Sequence, residues 1–226
     1  DSGGDKKMDS GHPDLNVKES KGKVIPPIGF DLTDVIQIDW SNKELHDYII
    51  GAIKFWVDLG VDGFMVDEPD KTPYAFLKRV KVELNNIKPV LMLAENEEQT
   101  DFMKKGFDMS YAWELHHLMN SIAQGKDSVK SLNKYYSKEW SVFPQNVLRM
   151  VFMDNHDENS WNGTINSRMG EAQKAFAVFT FTTRGVPLLY NGQAVCLDKS
   201  LKFVDRETII WDKVLLSGFY KNFINF

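Results

Sequence analysis

Apolar and polar residues follow two alternating patterns along this chain. Short continuous apolar runs, typical of buried strands, are separated by blocks in which apolar residues recur at helical spacing. We predict five strands, which end near Asp67, Glu95, Ala112, Asn155 and Tyr190. Strands that alternate with helices predict parallel pairing and an α/β fold.

The first two helical blocks have the clearest boundaries. Ser41-Asn42-Lys43-Glu44 has the spacing of a capping box, which predicts a helix that begins at Ser41 and stops at Gly60. Thr72-Pro73 predicts the start of the second helix. The predicted buried faces consist of Leu45, Tyr48, Ile49, Ala52 and Trp56 in the first helix and of Phe76, Leu77, Val80 and Leu84 in the second. Further helices are predicted over 100–105, 114–124, 126–136, 170–183 and part of 207–226.

Length and charge narrow the class of protein. The chain has 226 residues with 42% hydrophobic content, enough for one sizeable core. Acids outnumber bases by 32 to 27 without a basic block, so we expect neither nucleic acid nor a membrane surface as a partner. We also expect no membrane span. Cys196 is the single cysteine, so cysteine usage does not indicate whether the protein works in an oxidising or a reducing compartment.

Residues 1–28 lack periodicity, which predicts a loop or a severed connection. We predict one domain over residues 29–226.

Carboxylates occupy the ends of three predicted strands, at Asp67, Glu95 and Asp157. Carboxyl ends of parallel strands are where an α/β barrel keeps its chemistry. Neighbouring strands lie about 4.8 Å apart, close to the spacing of about 5–5.5 Å between the two acids of a retaining glycosidase. Asp67 and Glu95 fit that pair. An isolated Asp at a strand end is more often a helix N-cap, so only the set of three favours catalysis.

The same segments resemble a known family. Gly60-Val61-Asp62-Gly63-Phe64-Met65-Val66-Asp67, Met92–Glu95 and Phe152–Asp157 occur in the order of the motifs of the α-amylase family, glycoside hydrolase family 13. The resemblance extends over about residues 30 to 225, including Tyr111–His117 and Gly185–Gln193. It implies a (β/α)8 TIM barrel that is incomplete, with strands four to eight and their flanking helices. From the residues alone, an open doubly wound sheet is the rival architecture.

The resemblance also implies roles for individual residues. Asp67 would be the nucleophile, Glu95 the general acid/base, and Asp157 the residue that holds sugar hydroxyls in the distorted transition state. His156, flanked by Asn155, would bind the same sugar. Trp161 lies in a polar loop, where stacking on a sugar and a purely structural role are equally expected. The pair His116-His117 is interpreted as structural, because adjacent helical residues point to different faces.

The implied substrate is a starch-like α-1,4-glucan. The resemblance leaves the cofactor unknown: it allows calcium, but we identify no site for it in this chain. The resemblance to bacterial starch-degrading members suggests an extracytoplasmic location. The open edges of an incomplete barrel would allow self-association.

One departure from the family pattern bears on activity. The family has an arginine two positions before the nucleophile, where this chain has Met65. Arginine there keeps the attacking carboxylate ionised and oriented. Glu68 and Ala194 also differ from the residues usual in the family. Three hypotheses therefore stand: an α-glucan hydrolase, a catalytically impaired carbohydrate-binding remnant, and a glycosyl transferase.

Overall fold

Five neighbouring strands form the main sheet of the computed structural model, which describes residues 19–20, 23–24, 38–97, 106–211 and 217–225. In chain order the strands are β1 (Glu19–Ser20), β2 (Lys23–Val24), β3 (Gly63–Val66), β4 (Leu91–Ala94), β5 (Met109–Tyr111), β6 (Leu148–Phe152) and β7 (Val186–Leu188). The main sheet runs from β3 to β7 in sequence order, and its ladders from β4 onward are parallel. A doubly wound sheet reverses its strand order at a switch point, so this order excludes that rival and matches a barrel.

Seven α-helices accompany these strands in the described residues. They are α1 (Lys43–Asp58), α2 (Tyr74–Asn85), α3 (Trp113–Ala123), α4 (Ser131–Val142), α5 (Ile165–Met169), α6 (Gln173–Thr182) and α7 (Ser217–Ile224). The described residues cluster into two units. One unit holds β1, β2, α1 and α2, and the other holds Phe64–Pro69 and the chain from Leu91 onward.

Helix α1 differs from its prediction at both its start and its buried face. The N-cap is Asn42, whose side chain accepts hydrogen bonds from Glu44 N and Leu45 N, whereas Ser41 Oγ donates to Asp39. The buried residues are Leu45, Ile50 and Val57, while Tyr48 and Trp56 are exposed. The predicted face is therefore wrong except at Leu45. Gly60 has φ +100° just after the helix, as its predicted stop requires.

Helix α2 confirms its predicted stripe. Phe76, Leu77, Val80 and Leu84 are all buried. The predicted cap is wrong by one position, because Pro73 itself is the N-cap and no side chain caps the helix. Two ion pairs join α1 to α2, Lys54 to Glu83 at 2.6 Å and Arg79 to Asp47 at 2.5 Å.

Three later predictions shift. Helix α4 begins at Ser131 rather than Lys126, after a turn in which Asp127 accepts from Ser131 Oγ. The α-helix predicted from Gly170 begins at Gln173, after a 3-10 turn over Gly170–Ala172, because Gly170 has φ +49° and ends α5. Of the helix predicted within 207–226, residues 207–211 are not helical, and Ser217–Ile224 form α7. The helix predicted over 100–105 lies outside the described residues.

The predicted loop 1–28 is described only where β1 and β2 pair antiparallel. Within the described part of the chain, none of the helices has the length and hydropathy needed to cross a membrane.

Strand β6 shows how the sheet divides its two faces. Met150 and Phe152 belong to a cluster with Met109 and Tyr111, whereas Val151 and Met153 pack in a second cluster with α3, α4 and α6. Successive strand residues point to opposite faces, so β6 packs against an apolar cluster on each side, as expected for a sheet buried on both sides.

Candidate active site

The ends of β3 and β4 bring two predicted catalytic residues together. Asp67 directly follows β3, and Glu95 directly follows β4. Glu95 N donates a hydrogen bond to Val66 O at 3.0 Å, so the two strand ends are in register. The side chain of Glu95 forms a hydrogen bond with that of Asp67. The predicted pair is therefore adjacent.

The surroundings of Glu95 disfavour its charged form. Burial, the negative charges of Asp67 and Asp157, the hydrogen bond with Asp67 and the charge of Glu68 together raise the pKa of Glu95 from 4.5 to about 7. A half-buried carboxyl with such a pKa can hold a proton near neutral pH and then give it up. This is the property that a general acid requires.

Asp157 reaches the same site from the turn after β6. Its Oδ2 lies 3.5 Å from His156 Nε2, and the ligand atoms of Glu95, His156 and Asp157 all lie within 4.8 Å of one another. Among the described residues, this is the one group of His, Cys, Asp and Glu side chains close enough to share a metal ion. Calcium takes six to eight oxygen ligands, so two carboxylates and a ring nitrogen do not fit a calcium site.

Buried polar contacts hold the turn after β6 in place. Asp154 Oδ1 accepts from Arg168 Nη2 at 2.7 Å, and Asn155 Oδ1 accepts from Glu158 N at 2.8 Å. Burial raises the pKa of Asp154 to about 7, although Arg168 opposes the change. Asn155 was predicted to bind sugar and is buried beneath the turn, so the contact that it makes here positions Asp157. Its contact with sugar remains a prediction.

Position 65 lies on the same face of β3 as Asp67, because alternate strand residues share a face. Met65 is 49% exposed, and its sulfur accepts a hydrogen bond from Tyr111 Oη at 3.2 Å. Burial and the charges of Glu95, Asp157 and Asp67 raise the pKa of Tyr111, which keeps its hydroxyl protonated. Tyr111 therefore contacts the candidate site. The sequence analysis included Tyr111 in a segment that resembles the family but predicted no role for it.

Trp161 is 68% exposed on a π-helical turn that spans Glu158–Asn162. Its ring centroid lies 5.6 Å from that of Phe203, which in turn lies 5.8 Å from His156. Phe203 was missed by sequence reasoning, since no periodicity or motif singles it out.

Of the two adjacent histidines His116 and His117, His116 contributes to packing. His116 is fully buried, stacks on Phe152 with ring centroids 4.6 Å apart, and has Nε2 2.9 Å from Glu158 Oε2. Its other ring nitrogen, Nδ1, is 3.2 Å from Phe152 O. These contacts anchor the π-helical turn to α3.

Comparisons with known proteins agree with this architecture. A maltogenic α-amylase of Thermotoga neapolitana matches with a TM-score of 0.83 and 23% identity, covering 95% of this chain and 50% of that one. An α-amylase of Lactobacillus plantarum matches with a TM-score of 0.76 and 25% identity, covering 90% and 51%. The predicted incomplete (β/α) barrel is confirmed.

Relatives by sequence include a cyclomaltodextrin glucanotransferase of a Bacillus species (strain 17-1), 29% identical over 175 residues. The match covers 72% of this chain and 24% of that protein, so this chain spans about a quarter of the relative's length. The family model described as α-amylase, catalytic domain, matches residues 29–220. The chain therefore belongs to the α-amylase family, glycoside hydrolase family 13.

Proposed function

We propose that this chain carries the catalytic carboxylates of an enzyme that cleaves α-1,4-glucosidic bonds of starch-like glucans with retention of configuration. The observation that carries the proposal is the hydrogen-bonded pair Asp67 and Glu95, in which the pKa of Glu95 is about 7. Inverting enzymes separate their two acids by about 6.5–9.5 Å to admit a water, whereas Asp67 and Glu95 follow neighbouring strand ends that are joined by the hydrogen bond from Glu95 N to Val66 O, which supports the closer spacing of a retaining enzyme. The names of the relatives, which refer to maltose and cyclomaltodextrin, support α-linked glucose as the substrate.

The first step forms a glycosyl-enzyme ester. A carboxylate oxygen of Asp67 attacks the anomeric carbon while Glu95 donates its proton to the glycosidic oxygen, and the bond between these two sugar atoms breaks. Asp157 and His156, 3.5 Å apart beside Glu95, hold hydroxyls of the same sugar. The negative charge of Asp157, which acts on Glu95, also stabilises the positive charge that develops on the sugar ring.

The second step releases the sugar. Glu95, now a carboxylate, takes a proton from the incoming hydroxyl, whose oxygen attacks the anomeric carbon and displaces Asp67. Water as the acceptor gives hydrolysis, and a sugar hydroxyl gives transfer. The transferase alternative is supported by the cyclomaltodextrin glucanotransferase relative. Product analysis by chromatography separates the two, since transfer yields oligosaccharides longer than the substrate.

The test is the initial rate of reducing-sugar release from soluble starch. We expect Glu95→Gln and Asp67→Asn each to lower the rate at least about 100-fold, the scale of general acid–base catalysis. Activity of the parent chain should fall as the pH rises past about 7, because Glu95 then loses its proton. The matched control is Asp62→Asn in the same motif, whose side chain is 99% exposed and pairs with Lys88 at the surface. Equal rates in parent and Glu95→Gln, or a β-anomer as the first product by NMR, would overturn the proposal.

The exposed thioether of Met65 favours a second candidate, the impaired carbohydrate-binding remnant. Where the family places a guanidinium, Met65 offers Tyr111 a weak sulfur acceptor and gives Asp67 no ion pair. Binding of maltooligosaccharides without turnover in the parent chain, together with turnover in Met65→Arg, would establish this reading.

A further inference from the structure

Three rings form a row that begins at the carboxylates and runs outward. His156 lies beside Asp157 and Glu95, Phe203 follows at 5.8 Å with a 30° angle between ring planes, and Trp161 follows at 5.6 Å with a 35° angle. Phe203 and Trp161 are 51% and 68% exposed. The outer part of the row therefore presents apolar ring surface to solvent next to the proposed catalytic site.

The segment that carries Phe203 is fixed to the turn that carries Trp161. Asn159, 2% exposed within that turn, accepts a hydrogen bond from Leu201 N at 2.8 Å and donates to Lys199 O at 3.4 Å. Its Nδ2 also lies 3.4 Å from Asp154 Oδ2. One buried amide thus ties the Phe203 segment to the Trp161 turn and to Asp154 in the turn after β6. The arrangement of the three rings is therefore stabilised by these hydrogen bonds as well as by the contacts between the rings.

A second set of contacts anchors the same segment. Thr164 Oγ1 donates to Asp198 Oδ1 at 2.5 Å, and Asn166 Nδ2 donates to Asp198 Oδ2 at 3.0 Å. Val204, next to Phe203 in the same segment, is 88% exposed. Lys202 and Asp205, on either side of these two residues in the sequence, form an ion pair of 3.0 Å. An apolar patch with a charged rim, preordered by side-chain hydrogen bonds, is typical of a ligand-binding surface.

Continuity with the carboxylates identifies the ligand class. Aromatic faces match the apolar C–H faces of pyranose rings, and a ring row that starts at the reacting sugar meets the next sugars of the same chain. We propose that Phe203 and Trp161 form an aromatic platform that binds glucose units of an α-glucan beyond the two units joined by the bond at the carboxylates, and that Phe203 sets the preference for longer chains. The inference rests on the proposed function.

The experiment compares binding of maltose and maltohexaose by calorimetry, in a Glu95→Gln background that preserves bound sugar. Maltose fits at the carboxylates, whereas maltohexaose also reaches the platform. We expect Phe203→Ala to raise the Kd for maltohexaose about five- to tenfold, the scale of one aromatic contact, and to leave that for maltose within twofold. Phe203→Tyr should restore binding of the longer sugar. The control is Phe55→Ala, which removes a similarly exposed ring from α1.

Two contrary outcomes are distinguishable. If the Glu95→Gln chain binds maltohexaose and Phe203→Ala binds it equally well, the platform is refuted while the proposed function stands. If neither the parent nor the Glu95→Gln chain binds either sugar, the proposed function and the platform fail together. Circular dichroism of each variant identifies a folding defect, and Phe203→Tyr then decides the matter, because its loss of binding at full folding would also overturn the platform.

Discussion

Replacing Glu95 by Gln should stabilise the folded chain above neutral pH. Burial and the charges of Asp67, Asp157 and Glu68 raise the pKa of Glu95 from 4.5 to about 7. Because the folded-state pKa is the higher one, the protonated carboxyl contributes stability that is fully present below about pH 4.5 and is lost as the pH rises through about 7. Gln resembles the protonated acid in shape and has no proton to lose, so it avoids this loss.

The magnitude follows from linkage. The change in pKa from 4.5 to about 7 corresponds to about 3.4 kcal/mol at 1.36 kcal/mol per pKa unit. Glu95 is only half-buried, and solvent screens the charges around it, so we expect about 2 kcal/mol in the free energy of unfolding at pH 8.5. At pH 5 the same relation gives a difference of about 0.8 kcal/mol. A slope of about 2 kcal/mol per M in urea converts 2 kcal/mol into a midpoint shift of about 1 M.

The assay is urea unfolding followed by circular dichroism between pH 5 and 8.5, for the parent chain and Glu95→Gln. Glu171→Gln, an exposed acid outside the carboxylate cluster, is the matched control and should show no such trend. A stabilisation by Gln that grows toward pH 8.5 supports the electrostatic account. A difference that is constant with pH, or a destabilisation at pH 8.5, would show that the acids do not act on Glu95 as described.

Two further predictions concern single positions. Met65→Arg should raise the rate of starch hydrolysis at least tenfold below pH 6, whereas Met65→Lys should not. The reason is that only the guanidinium fork can hold the carboxylate of Asp67 in two contacts. Equal rates for both variants in the reducing-sugar assay would contradict this prediction. Gly185→Ala should lower the free energy of unfolding by about 2 kcal/mol or more, because Gly185 has φ +146° and an added Cβ would lie 2.6 Å from Arg149 O. Its control is Gly218→Ala, where open space surrounds the added carbon, and an equal loss there by urea unfolding would refute the steric account.

The strand ends could be predicted from sequence because buried parallel strands are continuous apolar runs. β3 and β4 each end where a carboxylate interrupts the run, at Asp67 and Glu95. The hydrogen bond between these side chains is consistent with the predicted spacing of neighbouring strands. Strand order was not predictable in this way, because local patterns fit both a barrel and a doubly wound sheet. Only the order of β3 to β7 distinguishes them.

Helix α1 shows where periodicity fails. Apolar residues surround much of its circumference, including Phe55 and Trp56 next to Val57, so the pattern does not determine which face is buried. Two adjacent residues, Ser41 and Asn42, could each cap the helix, and the contact of Ser41 with Asp39 leaves the cap to Asn42.

The aromatic platform lay beyond sequence reasoning for a different reason. Trp161 and Phe203 are brought together by Asn159, a buried amide that bonds to backbone atoms about forty residues away. Such long-range side-chain contacts have no period, and the π-helical turn that carries Trp161 follows no common sequence rule. The polar loop around Trp161 indicated that this side chain is exposed, but it did not indicate that the ring of Phe203 lies next to it.

The missing arginine and the raised pKa of Glu95 are two sides of one electrostatic arrangement. The neighbouring charges that act on Glu95 are negative, and a guanidinium at position 65, on the same face of β3 as Asp67, would favour the ionised form of both acids. Met65→Arg should therefore orient the nucleophile and at the same time lower the pKa of the general acid. The first effect raises the rate wherever Glu95 is still protonated, and the second shortens that pH range from its alkaline side. The activity gained should thus be greatest in mild acid and decline before pH 7, and a gain that instead increased toward alkaline pH would show that position 65 does not act through Glu95.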